Sequence, residues 1–176
     1  MNRTDFDFVD LKAGVNLQDF HCTDDDLNEF LADEALDYQN ELLAKTYLII
    51  HKATGESAAY YSVLNDVVRL EDTEKHIRNR INRKIPHSKQ RNHYPAVKIG
   101  RLAVSQQFAR QGVGSLVIDN LLFLFSHGNR TGCRFLTVDA YAEATPFYER
   151  QGFRYFTHQD EADNTRLMFF DLKDFV

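Results

Sequence analysis

Cysteine is scarce: the 176 residues hold only Cys22 and Cys133, far apart and with no His or Cys partner at metal-ligand spacing. That pattern excludes a disulfide framework and a zinc ligand set, and leaves two ordinary reduced thiols. No uninterrupted apolar stretch reaches the roughly 18 residues of a membrane span, and the opening Met1-Asn2-Arg3-Thr4-Asp5 lacks the apolar segment of an export signal. A soluble, cytoplasmic protein is expected. No Gly-Lys-Ser/Thr sequence exists, which excludes a nucleotide-triphosphate P-loop. Internal repeats and low-complexity linkers are also missing. With 43% hydrophobic residues the chain can bury a full core as one domain over residues 1–176.

Net charge is −5, which argues against general polyanion binding, but the sign is unevenly spread. From Lys75 to His93 there are seven basic residues and no acidic one: Lys75, Arg78, Arg80, Arg83, Lys84, Lys89 and Arg91. The rest of the chain carries 14 basic residues against 26 acidic. The run is either a solvated face with incidental charge or a local basic surface on an acidic body.

Phe6 to Leu11 alternates at period two and predicts a strand. Thr23 followed by Asp24, Asp25 and Asp26 reads as an N-cap with acids in the first turn, opening a helix to about Leu42. Thr46 to Ile50 and Ala58 to Leu64 flank a loop containing Gly55 and predict an antiparallel hairpin. Glu71 to about Ile85 places Ile77, Ile81 and Ile85 on one helical stripe, and Pro86 ends it. A loop through Tyr94-Pro95 leads into a strand from Val97 to Val104. The apolar stretch Val113 to Phe125 predicts a helix buried on more than one face, with Gly128 as its stop. The last strands are read at Arg134 to Asp139, Phe153 to Thr157 and Arg166 to Asp171. A hairpin followed by strands alternating with helices predicts a mixed sheet.

Between the strand ending Leu102-Ala103-Val104 and the long apolar helix lies Ala109-Arg110-Gln111-Gly112-Val113-Gly114-Ser115. Two glycines let the backbone approach a ligand, and the helix that opens there offers unpaired N–H groups and a positive dipole end. A ligand carrying pyrophosphate is the first inference. A dinucleotide fingerprint fits poorly, because Val117 fills the third small position and a seven-residue loop from Ser105 to Gln111 separates strand from glycine. The bland alternative is a tight turn and nothing more. Further on, Ala144-Thr145-Pro146-Phe147-Tyr148-Glu149-Arg150-Gln151-Gly152-Phe153 presents a tyrosine on a short helix that stops at glycine. Tyr148 is either a reactive phenol or a core aromatic, Phe147 being the better core candidate of the two, and Tyr141 is a second phenol nearby.

Together these features resemble the GCN5-related N-acetyltransferases over roughly residues 44 to 172. The resemblance implies an α+β (mixed α/β) fold: a central mixed, mostly antiparallel sheet, splayed in the middle beside Leu102 to Val104 and flanked by helices. It implies acetyl-coenzyme A as co-substrate; the histidines, mostly in polar surroundings, read as surface residues and not ligands, so no metal is expected. The amides around Ala109, Arg110, Gln111, Gly112, Val113, Gly114 and Ser115 would bind the pyrophosphate, while edge groups of Leu102, Ala103 and Val104 pair with the pantetheine arm as a peptide strand would. Tyr148 would be the general acid that protonates the leaving thiolate. One departure is plain: the family pattern usually has Gln or Arg three residues before the first glycine, and here that position is Ala109, with Arg110 next along. For a general base, Glu71, Glu143 and the histidines are all open.

Phe20-His21-Cys22, Asp25 to Leu31, Ala44 to Leu48, Tyr60-Tyr61-Ser62 and above all Gly100-Arg101-Leu102-Ala103-Val104 are similar to the toxin branch of this superfamily. That branch acetylates the free amine of aminoacyl-tRNA. The resemblance implies a tRNA acceptor, an antitoxin partner and a homodimer. Arg78, Arg80 and Arg83 are then the candidate phosphate contacts. The alternatives are a small-molecule, peptide or protein-lysine N-acetyltransferase, whose cationic acceptor an acidic body attracts, and a non-catalytic acetyl-coenzyme A sensor or interaction module.

Overall fold

The computed structural model describes every residue except Met1, Asn16, Gln18, Ser88, Lys89, Gly128 and Arg130. The expected stop at Gly128 and the charge of Lys89 therefore lie outside the described residues. Seven strands form one sheet: β1 (Phe6–Asp10), β2 (Lys45–His51), β3 (Ser57–Arg69), β4 (His93–Val104), β5 (Phe135–Tyr141), β6 (Arg154–Tyr155) and β7 (Thr165–Asp171). Their order is β1-β2-β3-β4-β5-β7-β6. The pairs β1/β2, β2/β3, β5/β7 and β6/β7 are antiparallel, so the expected mixed, mostly antiparallel α+β sheet is present.

The chain divides into two compact units, Met1–Leu64 with Ile99–Leu121 and Asn65–Lys98 with Leu122–Val176. In the first, β1 and the β2/β3 hairpin carry the core of Leu11, Phe20, Phe30, Leu31, Ala35, Leu48, Tyr60 and Ala103. Helices α1 (Asp25–Glu29) and α2 (Ala35–Asn40) cover it. Asp24, not Thr23, is the N-cap, its carboxylate accepting from Leu27 N–H at 3.3 Å. Between α1 and α2 the backbone widens to π-helical winding over Phe30–Glu34, where Ala35 N–H donates to Phe30 O. The helix stops at Asn40, short of the expected Leu42. Leu42 stands outside it with left-handed backbone (φ 60°) and a side chain 91% exposed.

In the second unit, Val68, Leu70, Ile77, Ile81, Tyr94, Ala96, Phe135, Phe156 and Phe169 form the core. Helix α3 (Lys75–Arg83) begins four residues later than expected, because Leu70–Asp72 forms a separate 3-10 turn and Glu74 is extended (ψ 150°) at its N-cap. Its buried stripe is Ile77 and Ile81, as the periodicity requires. β4 starts at His93, so Tyr94-Pro95 is strand and not loop. Proline gives no N–H to a ladder, but its carbonyl still accepts from Arg134 N–H at 2.8 Å. Helix α4 (Val113–Ser126) buries Val113, Val117, Ile118, Leu121 and Leu122, while Phe123 and Leu124 are 47% and 41% exposed. Its last turn is thus open, contrary to burial along its whole length. No helix is long and apolar enough to cross a membrane among the described residues.

Candidate active site

The turn before α4 is held from behind by its own sequence. Ser105, buried, donates its N–H to Ala58 O at 2.9 Å. Gln106 donates its backbone N–H to His21 O at 2.8 Å and its side-chain amide to Cys22 O at 3.3 Å. Phe108, at the end of one 3-10 turn (Gln106–Phe108), is buried against the rings of His51 and Phe6, with centroids 5.3 and 6.3 Å away. These contacts fix the loop so that Ala109 to Gly112 stand exposed in front of it.

Arg110 and Gly112 both adopt left-handed backbone, at φ 59° and 86°, while Gln111 between them does not. Backbone that alternates in handedness is the kind from which anion-binding concavities are built. A Cβ on Gly112 would meet nothing within 4 Å, so glycine is there for its φ and not for space. Leu116 N–H closes the first helical bond on Gly112 O at 3.1 Å. The amides of Val113 and Gly114 precede it in the first turn, where the helix supplies no carbonyl and the dipole is positive. Val113, buried, anchors the helix start in the core.

One compact unit therefore brings together Leu102, Ala103, Val104 and Ala109 through Ser115. Ala103 is buried, while Leu102 and Val104 are half-buried. Ala109 is exposed and brings no charge, which leaves Arg110 as the cation of the loop. Arg101, which the sequence singled out only as part of Gly-Arg-Leu-Ala-Val, has its guanidinium 5.0 Å from the Phe30 ring centroid and 3.9 Å from Asp26. It also donates to Gly100 O at 3.0 Å. It ties β4 to the helix that begins at Asp25.

Tyr148 lies in the other unit, on α5 (Thr145–Arg150). Pro146 stands at the head of this helix, where its missing N–H costs nothing, and Thr145 Oγ1 donates to Ala142 O at 2.8 Å. The helix ends at Gly152 (φ 87°), whose N–H donates to Glu149 O at 2.9 Å, and Phe153 N–H donates to Tyr148 O at 3.0 Å. Tyr148 is 6% exposed and flanked by the rings of Phe147 and Phe153 at 5.1 and 5.4 Å. Contrary to the sequence expectation, the tyrosine and not Phe147 is the buried member of the pair. Burial pushes its phenol well above the usual tyrosine value, so it holds its proton throughout the physiological range. Tyr141, at 41% exposure, has no such environment.

Of the three basic candidates on α3, Arg78 is committed inside the protein, donating to Leu70 O at 2.9 Å and Thr73 O at 3.4 Å. Arg83 donates back to Asn79 O at 3.3 Å. Arg80 is exposed and makes no ion pair among the described residues. Lys84 is neutralised by Asp171 at 3.2 Å and by Asp174. The free positive charge of this segment is thus smaller than its composition. Glu71 and Glu143 are both exposed. Burial raises the thiol pKa of Cys22 and of Cys133, which disfavours the thiolate of each. Among the described residues no group of three or more His, Cys, Asp or Glu could hold a metal ion.

The acetyltransferase (GNAT) domain family matches residues 85–172, half of the chain. No curated protein matches. Among solved structures, AtaT complexed with acetyl-methionyl-tRNAfMet is 22% identical, with TM-score 0.78 over 97% of each chain. A tyrosine-to-phenylalanine mutant of KacT is 20% identical, with TM-score 0.78 over 97% of this chain and 96% of that one. A tyrosine-to-phenylalanine mutant of the toxin AtaT, bound to the C-terminus of the antitoxin AtaR and acetyl-CoA, is 21% identical, with TM-score 0.70 over 97% and 95%. These likenesses extend the shared fold over nearly the whole chain. With the glycine turn, the tyrosine helix and the sheet order in place, the chain belongs to the acetyltransferase (GNAT) family, the acetyl-coenzyme A-dependent N-acetyltransferases.

Proposed function

We propose that the protein moves acetyl from acetyl-coenzyme A to the α-amine of aminoacyl-tRNA by direct attack on the thioester. The observation that carries the choice of acceptor is the likeness, over 97% of both chains, to AtaT complexed with acetyl-methionyl-tRNAfMet. The exposed Arg80 on an otherwise acidic chain supports it.

In this reading the turn from Ala109 to Ser115 takes the pyrophosphate on main-chain N–H groups, and Leu102 to Val104 pair with the pantetheine amides. The amine nitrogen attacks the acetyl carbonyl, the C–S bond breaks, and coenzyme A leaves as thiolate. An α-amine has a reference pKa of about 7.7–8.0, so a fraction is neutral at physiological pH and attack needs no strong base. Its surplus proton goes to solvent. Tyr148 donates a hydrogen bond to sulfur as charge develops, and then its proton, and the phenolate so formed takes a proton back from solvent to restore the enzyme. Its burial keeps it neutral until that moment, and a thiolate formed away from water is itself made more basic. A partner antitoxin and a homodimer belong to the same reading.

A second reading, a small or protein-borne cationic amine as acceptor, is favoured by the segment from Cys22 to Ala44, which holds eight acidic and no basic residues. Transfer of labelled acetyl to a charged tRNA pool, beside a deacylated pool, separates the two. Label on the charged pool alone supports the tRNA acceptor. No label, with coenzyme binding shown in the same preparation, moves the proposal to the second reading.

A further inference from the structure

We infer that the cavity between α3 and the chain following α5 is a binding site for a single unstacked nucleotide of RNA whose base carries an exocyclic amine. The cavity measures about 230 Å³, smaller than a typical drug-sized pocket, and lies wholly within one compact unit. Its floor is apolar: Ile77 from α3, with Phe153 and Phe169, all buried. Tyr155 adds an aromatic wall, held from one face by the Arg166 guanidinium at 4.4 Å, which is itself fixed by Asp160 at 2.8 Å.

Two charged groups of opposite sign complete the lining. Arg80 is exposed and makes no ion pair among the described residues, whereas Arg154 is 3.3 Å from Asp174. Arg80 is therefore the guanidinium available to a phosphate. Glu149 is exposed on the same cavity and, as a carboxylate, accepts hydrogen bonds only. A simple anion site would not place a carboxylate there. A base with an exocyclic amine, stacked on an aromatic wall and joined to a phosphate, uses the slot, the acceptor and the cation together. The two histidines of the rim lie against acids, His76 at 3.2 Å from Glu74 and His158 at 2.7 Å from Glu161. The inference rests on the aminoacyl-tRNA reading only for the source of the nucleotide.

The test is fluorescence-anisotropy binding of labelled rA, rC and rU hexamers to the full chain, to Arg80→Ala and to Glu149→Ala, with melting curves to establish folding. The adenine and cytosine hexamers should bind about tenfold more tightly than the uracil one, given the strength of base stacking and pairing at such sites. Arg80→Ala should weaken all three alike, as loss of a phosphate contact does, and Glu149→Ala should narrow the gap between bases. Equal binding of the three hexamers, or affinity unmoved by Arg80→Ala, overturns the site. Displacement of the hexamers by acetyl-coenzyme A also overturns it, because the cavity would then take the coenzyme's own adenosine. Base-selective binding by a protein that fails to acetylate charged tRNA would uphold the cavity and remove only the source named for its nucleotide.

Discussion

Arg110 and Gly112 share left-handed backbone, at φ 59° and 86°, on either side of Gln111 and directly ahead of α4. Only the glycine adopts this conformation freely. At Arg110 the cost for an L-residue is about 1–2 kcal/mol, held in place by the anchored Phe108 behind it and the buried Val113 ahead. Arg110→Gly should raise stability slightly, since the relief of strain exceeds the roughly 0.4–1 kcal/mol by which glycine frees the unfolded chain. It should also weaken acetyl-coenzyme A binding by removing the charge of the loop. Thermal melting and a coenzyme titration of the same variant check both.

Gly112→Ala isolates the backbone term. Its new Cβ meets nothing within 4 Å, so no steric clash is added. A loss of about 1–2 kcal/mol, read from denaturant midpoints, is expected from the left-handed φ alone.

Tyr148→Phe should leave coenzyme affinity within twofold and lower turnover by about 10²–10⁴-fold, the usual range for a lost acid–base group. Because burial raises the phenol, the wild-type rate should show no alkaline limb from Tyr148 near the ordinary tyrosine pKa of about 10. Unchanged turnover in the variant removes Tyr148 from the chemistry.

Tyr60, Tyr61 and Tyr148 all have phenols raised by burial, and Tyr60 in addition donates to Leu27 O at 2.7 Å. A raised folded-state pKa contributes stability that is present below the unfolded value and lost as pH rises toward the folded one. Above pH about 10 the unfolded chain ionises these three groups and the folded chain does not, so stability should fall by roughly 4 kcal/mol per pH unit. Urea titrations at a series of alkaline pH values measure the slope.

Asp171 is 4% exposed and joins three segments of its unit. It accepts from Arg134 Nη2 at 3.0 Å and from Lys84 at 3.2 Å, and it caps the chain end by accepting from Lys173 N–H at 3.1 Å. Arg134 Nε lies 2.8 Å from its Oδ1 as an ion pair but is not aligned for a hydrogen bond. Asp171→Ala leaves Arg134 without its carboxylate, while Lys84 keeps Asp174, and should cost about 1.5–3 kcal/mol by urea denaturation.

The turn at Gly112 and the helix of Tyr148 were legible because glycine at a chain reversal and Phe-Tyr ahead of a glycine are local signals, set by backbone conformation at single residues. Boundaries set by long-range contact were not. Pro95 reads as a loop residue, yet it lies in β4, where its carbonyl accepts from Arg134, distant in sequence. The π-helical winding at Phe30 leaves no mark in the apolar spacing, because Leu27, Phe30 and Leu31 suit an ordinary helix as well. The basic run was read from composition, which cannot show that Arg78 turns inward to Leu70 or that Lys84 meets Asp171. The burial of Tyr148 over Phe147 was equally hidden, since adjacent residues on one short helix compete for the core, and the contact that Tyr148 makes with Phe153 is not visible in the spacing.

The most direct measurement is mass spectrometry of the aminoacyl-adenosine released by nuclease from charged tRNA after one turnover with acetyl-coenzyme A, for wild-type protein and Tyr148→Phe. Wild-type protein should give the N-acetylated aminoacyl-adenosine, and the variant should give it at least about 10²-fold more slowly at saturating coenzyme. Unmodified aminoacyl-adenosine from wild-type protein that binds the coenzyme would contradict the proposed acceptor. Equal rates in the two proteins would contradict the proposed proton donor.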